Sequence, residues 1–498
     1  MGDVNESHEH AAVLSEIGAQ RGGQSPRQPG GRTESDLVPG LPRAVHLLGA
    51  GGAGVSAAAR LLVARGHAVT GHDRGRSPFT EVLEALGVPL AFGASEASHF
   101  PASAAAVVRS AAVPKDDPQV VLAQQRGLPV LKYAELLGRL APAGRTAAVA
   151  GTHGKTTTSW MTHAALAVGA GPAAGAIVGG LHRTLRSNAV VPERGGWFTV
   201  EACEYDRSFL QLTPTAAIVT NVEADHLDCY GDMANLEQAF CRFVARVEPA
   251  GLVVLGREVP ASVAEATRAR VWRVGREVEV DLLREHRGRF EFRVRGPGWA
   301  TPYVTLGVPG RFNVENAAAA VALAVGAHGV APRAAAEAVA GFPGAARRFE
   351  PWMTVGGIDV VHDYAHHPTE VRVTLEAGRR AFPGRPLHVL FQPHQHSRTA
   401  RLMDDFVEAL RGADRVVVAD VYGARKHIDT LDGADAGTLV TRLVRARVDA
   451  VAGGAPRAAG RALVAGLAAD AAVLVLGAGD IDEIHDDLHA HLAVRFAP

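Results

Sequence analysis

Short apolar runs that end in glycine or in polar residues recur along the chain, and most are followed by a helical period. The run 44–48 reads as a buried strand. Gly49-Ala-Gly-Gly-Ala-Gly54 turns it into an apolar helix over 55–65, and a second strand over 67–71 ends at His72-Asp73. Alternation of strands and helices continues through 105–110 to about residue 140, where Ala141-Pro-Ala-Gly144 reads as a linker. A strand over 147–150 then breaks at Gly151-Thr-His-Gly154, and Lys155-Thr-Thr-Thr158 opens a helix. Further strands are expected at 197–200 and 216–220, a β-rich stretch over 252–305, and a long alanine-rich helix ending near 327. Gly341-Phe-Pro-Gly344 marks a second boundary. Beyond it, strands at 359–363, 387–391, 415–420 and 473–476 alternate with helices, one of which has Pro368 in its first turn. The pattern predicts an α/β protein of several doubly wound units. At 498 residues the chain is too long for one ordinary core.

Composition narrows the function classes. With 51 basic against 52 acidic residues, nothing global points to a nucleic-acid partner. No apolar run reaches the length of a membrane span and no signal peptide is read, so no membrane insertion is expected. The three cysteines, Cys203, Cys229 and Cys241, lack CxxC spacing, which suits a reducing cytoplasm and argues against a disulfide framework or zinc site. Residues 1–40 are rich in Gly, Ser, Pro, Arg, Glu and His without periodicity, the composition of a disordered tail.

The chemistry gathers at strand ends. A glycine-rich strand-to-helix turn aims backbone N–H groups at one point, where the helix dipole is positive. Gly151, Thr152, His153, Gly154, Lys155, Thr156 and Thr157 therefore read as a phosphate cradle for ATP. In it Lys155 would reach the β- and γ-phosphates and the Thr156 hydroxyl would ligate Mg²⁺. The loop is shorter than the common pattern, which asks for Gly where Val149 stands. Gly49, Gly51 and Gly54 fit GxGxxG, with Asp73 about 20 residues on, where a ribose hydroxyl would be held. That segment says nucleotide, with NAD as the default and a plain tight turn as the alternative. Glu201 ends a strand parallel to the phosphate-loop strand and is the first choice for a metal ligand, with Glu204 and Asp206 as either ligands or helix-starting charges. His226, beside Asp225, lies on the same rim. Asn313 and Asn316 read either as helix caps or as contacts to adenine.

Several of these segments together resemble the Mur ligase family. They are the glycine turn at 49–54, Gly151-Thr-His-Gly-Lys-Thr-Thr-Thr158, Glu201-Ala-Cys-Glu204, Thr220-Asn-Val-Glu-Ala-Asp-His226, Gly310-Arg-Phe-Asn313, Arg347-Arg-Phe349, Tyr364-Ala-His-His-Pro-Thr-Glu370 and Gln392-Pro-His394. The resemblance covers about residues 44–490. It implies three domains: 41–142, Rossmann-like, for a UDP-sugar; 143–343, a central P-loop-type ATPase with a parallel sheet; and 344–498, again Rossmann-like. It implies ATP-dependent joining of L-alanine to the lactyl carboxylate of UDP-N-acetylmuramate through an acyl phosphate, in peptidoglycan precursor synthesis. It also turns the NAD reading of the first loop into a UDP-sugar reading, with Gly49, Gly51, Gly52, Gly54, Asp73 and Ser110 as contacts. Glu201 and His226 would hold a second Mg²⁺ besides the one on Thr156. Arg347 or Asp363 would reach the nucleotide from the third domain. His366, His367, Arg398 and Arg401 would serve L-alanine and the transition state, the two histidines not being separable. A monomer or a homodimer is expected, and so is domain closure.

Three positions depart from the family pattern: Phe312 stands for His, Ala365 for Gly and Cys203 for Asp. A related ligase that attaches a recycled tripeptide is the near alternative. An inactive nucleotide-binding scaffold would be expected to lose Lys155, Glu201 or His226, and all three are present. An NAD-dependent oxidoreductase would leave the ATP loop unexplained.

Overall fold

The computed structural model describes residues 37–423 and 435–496, so the expected tail lies almost wholly outside the described residues. Three larger sheets organise the described residues, with a fourth, small antiparallel sheet among them. The first has five parallel strands in the order β3-β2-β1-β4-β5: β1 (Ala44–Leu48), β2 (Ala68–Asp73), β3 (Leu90–Phe92), β4 (Ala106–Arg109) and β5 (Val130–Lys132). Helix α1 (Ala53–Ala64) leaves the glycine turn after β1 and buries Leu61 and Leu62 against Val45 and Leu47. It begins two residues earlier than expected because Gly52 already supplies the extended cap.

The central sheet has seven strands in the order β12-β11-β10-β6-β9-β7-β8. Its middle is β6 (Thr146–Ala150), flanked by β10 (Ala216–Val219) and β9 (Phe198–Glu201), all parallel. Such strands are covered on both faces, so they read as unbroken apolar runs rather than alternating ones. One edge continues through β11 (Leu252–Leu255) and β12 (Arg270–Arg273). On the other edge, β7 (Gly175–His182) runs parallel to β9 and forms an antiparallel hairpin with β8 (Ser187–Val190). The pattern reading did not foresee this hairpin, whose glycines and polar residues hide the strand period. Helix α2 (Lys155–Ala167) follows β6, and the alanine-rich α3 (Arg311–His328) packs on the same face through residues 317–324. The β-rich stretch expected over 252–305 divides: its first part is β11 and β12, and the rest is a small antiparallel sheet of β13 (Glu279–His286), β14 (Arg289–Gly296), β15 (Trp299–Ala300) and β16 (Val304–Thr305).

The third sheet has six strands in the order β17-β18-β22-β19-β20-β21. Only β17 (Glu350–Val355) is antiparallel; β18 (Ile358–Asp363), β19 (Leu387–Phe391), β20 (Arg415–Ala419), β21 (Asp449–Gly454) and β22 (Ala472–Leu476) are parallel. Helix α4 (Pro368–Ala381) follows β18, with proline at its first position as expected. No helix among the described residues is long and apolar enough to cross a membrane.

Candidate active site

The phosphate loop leaves β6 in a conformation only glycine holds easily. Gly151 has φ +134°, and a Cβ there would stand 2.0 Å from the Thr220 hydroxyl; Gly154 has φ +79°. The rim after β10 fixes the loop. Asn221 accepts from the His153 N–H at 2.8 Å, and the Thr220 hydroxyl donates to the His153 carbonyl at 2.6 Å. Lys155 Nζ donates to the carbonyls of Gly151 (2.5 Å) and Thr152 (2.9 Å) and pairs with Glu204 at 3.0 Å. Burial disfavours its charge, but Glu204, together with Cys203 and Glu201, offsets this and holds the ammonium above the usual lysine range.

Glu201, at the end of β9, stands beside this loop. Its two carboxylate oxygens lie 3.2 and 3.1 Å from the Thr156 hydroxyl, and one accepts the Gly179 N–H at 2.7 Å. His226 has φ +54° at the start of a short helix, 3.6 Å from Glu204 and 3.8 Å from Asp225. Burial lowers its pKa, so the imidazole is neutral and able to ligate. Carboxylate and hydroxyl oxygens with a neutral imidazole on one cavity wall fit a divalent cation.

That cavity, of about 680 Å³, lies where the three sheets meet. From the first unit it is lined by Gly51 and residues 77–79; from the central unit by Lys155, Thr156, Glu201 and His226; from the third by Tyr364, His366, His394 and Arg398. The two histidines after β18 separate here. His366 lines the cavity, and its Nδ1 lies 3.0 Å from the Tyr364 carbonyl, which can only accept. The proton is therefore on Nδ1 and the Nε2 lone pair is free. Burial holds this ring down to about 4. His367 instead caps α4, its Nδ1 accepting the Thr369 N–H at 3.3 Å. Arg398 is buried and donates to Asp225 at 2.7 Å across the two units.

A second, narrow and largely apolar cavity adjoins the loop on its other side. Gly154, Thr157, Phe312, Asn313, Phe349 and Asp363 line it. Asn313 donates to the Pro309 carbonyl at 2.6 Å and accepts from Asn316 at 3.2 Å, so the two asparagines are locked together. Burial raises Asp363 to about 6, although its oxygens accept the N–H groups of Phe349 and Ala365.

Family models match almost the whole described chain: the Mur ligase family catalytic domain at 44–145, the Mur ligase middle domain at 149–324 and the Mur ligase glutamate ligase domain at 347–479. The chain belongs to the Mur ligase family. A UDP-N-acetylmuramate–L-alanine ligase of Salinibacter ruber is 40% identical over 420 residues, covering 82% of this chain and 86% of that one. That of Saccharopolyspora erythraea is 40% identical over 469 residues, covering 91% and 94%. Among solved structures, the UDP-N-acetylmuramate–alanine ligase MurC of Thermotoga maritima is 26% identical with a TM-score of 0.76, covering 91% of this chain and 99% of that one. A murein peptide ligase of Psychrobacter arcticus shares the fold at 23% identity, TM-score 0.67, with 92% and 100% covered.

The remaining expected residues of this Mur ligase are placed as follows. Gly49, Gly52, Asp73 and Ser110 line a third cavity of about 840 Å³ at the C-terminal ends of β1, β2 and β4. The Asp73 carboxylate is already engaged, accepting the Gly51 N–H at 2.7 Å and the Arg74 N–H at 2.7 Å. Gly54 faces neither cavity: a Cβ there would meet the Tyr133 ring at 2.6–2.9 Å, so helix packing explains this glycine. Of the two residues expected to reach the nucleotide, Asp363 lines the narrow cavity, whereas Arg347 lines the central one. Arg347 binds the carbonyls of Gly477 and Gly479 and pairs with Asp482 at 3.1 Å, while Arg348 lines the narrow cavity. Arg401 is exposed and lines none of the three cavities. Glu204, read from sequence as a ligand or a helix-starting charge, pairs with Lys155. Glu223, Glu370, Arg348 and His394 were not singled out from sequence; each except Arg348 sits in a quoted segment at a strand end, which was the available signal.

Proposed function

We propose that this Mur ligase joins L-alanine to the lactyl carboxylate of UDP-N-acetylmuramate in the cytoplasm, converting ATP to ADP and phosphate. In this reading the three sheets are three domains with boundaries near residues 142 and 343. One observation carries it: a single cavity of about 680 Å³ is walled at once by the phosphate loop, by Glu201 and His226, and by His366 and Arg398. The UDP-sugar would run from the cavity at Gly49 and Ser110 over Gly51 into this centre, and adenine would enter the cleft at Phe312 and Asn313.

A carboxylate is a poor acyl donor because its leaving group would be oxide. A lactyl oxygen therefore bonds first to the γ-phosphorus as the bond to ADP breaks, giving an acyl phosphate. Two anions must be brought together, so catalysis is chiefly positioning and charge neutralisation. Lys155 supplies the mobile charge, exchanging the carbonyls of Gly151 and Thr152 for phosphate oxygens. Thr156 would hold one Mg²⁺, and Glu201 with His226 a second; when bound, they would supply positive charge against the two anions. L-Alanine then attacks the acyl carbon, the C–N bond forms, and phosphate leaves with the former carboxylate oxygen. His366 Nε2 takes the amine proton. Arg398, held by Asp225, has further N–H groups for the alanine carboxylate.

The test is phosphate release from Mg-ATP with UDP-N-acetylmuramate and L-alanine, with L-alanyl-γ-D-glutamyl tripeptide, or with no acceptor. Release that requires L-alanine is expected. Release with the tripeptide alone would move the chain to the recycling ligases, and no release with either would contradict the proposal.

A further inference from the structure

The side chain of His153, inside the phosphate loop, reaches the seam between the central and third units. Its Nδ1 lies 3.2 Å from a carboxylate oxygen of Glu370, in the first turn of α4. Its Nε2 lies 3.6 Å from Glu223, on the rim after β10. The Thr369 hydroxyl donates to the same Glu223 carboxylate at 2.7 Å. The Glu223 N–H in turn donates to the Thr152 hydroxyl at 2.9 Å. The other Glu370 oxygen accepts the N–H groups of His366 (3.1 Å) and His367 (3.3 Å). One continuous chain of contacts thus runs from the phosphate loop through Glu370 to the backbone of His366.

We propose that His153 is a positioning residue: as a cation shared by Glu223 and Glu370, it clasps the phosphate loop to the helix that presents His366, so that the base is in place only when the two units have closed on each other. The proposal rests on the ligase reading of this site. Geometry favours a proton over a metal as the shared charge. Donor atoms of His153, Glu223 and His367 lie within 4.8 Å of one another, a set able to hold a transition metal. However, His367 Nδ1 accepts the Thr369 N–H, so its Nε2 carries the proton and neither nitrogen is open to a cation. His153, by contrast, directs both ring nitrogens at carboxylates, the arrangement an imidazolium requires. Burial opposes that charge, but Glu370 and Glu223 outweigh it and lift the ring to about 9. The His153 and Glu370 side chains are 11% and 12% exposed, so solvent screens that pair little, and the pair with the more exposed Glu223 more. Loss of the clasp leaves the two carboxylates facing each other without the shared cation, and Arg348, 3.8 Å from Glu370, offsets this repulsion on one side alone, which opposes closure.

The experiment is a double-mutant cycle in the full-length enzyme with His153→Gln and Glu370→Gln, reading kcat and the KM of each substrate. Metal content and small-angle scattering with a non-hydrolysable ATP analogue and UDP-N-acetylmuramate are measured alongside. Wild-type turnover with L-alanine first establishes the ligase reading; its absence would count against that reading and not against the clasp alone. Given turnover, His153→Gln is expected to lower kcat/KM for L-alanine by about tenfold or more, with the KM of ATP changed less than about threefold. The doubly substituted enzyme should be no worse than the poorer single variant, and the compaction on ligand binding should be smaller in each. Thr369→Val, which removes only the hydroxyl bond, should lose less. Additive losses, or a loss confined to the KM of ATP, would mean that His153 acts on the nucleotide directly and would overturn the proposal. So would one equivalent of bound transition metal.

Discussion

The chain makes the same local turn twice, after β1 and after β6, and puts it to different uses. Both are strand, glycines, helix. After β6 the turn carries Lys155 and Thr156, and neighbouring strands bring Asn221, Glu201 and Glu204 against it. After β1 the turn carries no basic residue, its Gly51 N–H is taken by Asp73, and its last glycine exists to admit Tyr133. A glycine turn therefore provides only space and N–H donors. What it binds is decided by the side chains that adjacent strand ends deliver.

The comparison can be broken most severely at Lys155. Lys155→Ala should cut L-alanine-dependent phosphate release by about 10³-fold or more, because the only mobile cation of the loop is gone. Isothermal titration should still detect UDP-N-acetylmuramate, since Gly49, Asp73 and Ser110 are untouched. Next in size is Gly151→Ala. A Cβ 2.0 Å from the Thr220 hydroxyl, at φ +134°, must displace the loop. ATP affinity should fall by about tenfold or more, together with a thermal destabilisation of about 1–3 kcal/mol. Gly54→Ala sharpens the contrast, because the same kind of clash falls on Tyr133 instead. Stability should drop by a similar amount in thermal melts while the KM of ATP stays unchanged. The smallest effect is on pH. His153 faces Glu223, Glu370 and His367, with Arg348 and His366 behind Glu370. Its pKa in the closed state, about 9, stands above the ordinary 6.5, so closure is fully favoured below about 6.5 and is lost as pH rises through about 9. The KM for L-alanine should rise above pH 9 in the wild type by more than the titration of alanine itself explains. The His153→Gln enzyme should lack that excess.

Much of this site could be read from residues alone because its parts sit at strand ends next to glycine turns, where local pattern and chemistry coincide. The phosphate loop, Glu201, His226 and the histidine pair before Pro368 are of this kind. What could not be read depends on backbone turns or on distant partners. Arg347 (φ +59°) and Phe349 (φ +43°) both lie in the left-handed region, so Arg348 rather than Arg347 reaches the narrow cavity. No periodicity anticipates such a turn. The pairing of Arg398 with Asp225, 173 residues away, and of His153 with Glu370, 217 residues away, arises only when the third sheet docks on the second. Gly54 matched a nucleotide-binding pattern, yet helix packing explains it; Asp73 lines the third cavity and also holds the turn through Gly51.

The central claim is that one cavity brings the phosphate on the Lys155 loop against the lactyl carboxylate before the amine attacks. It is tested most directly with UDP-N-acetylmuramate carrying ¹⁸O in that carboxylate. After turnover with ATP and L-alanine, the released phosphate should carry one ¹⁸O per product formed. Unlabelled phosphate alongside ligated product would contradict an acyl phosphate, and with it the account of why these residues share a cavity.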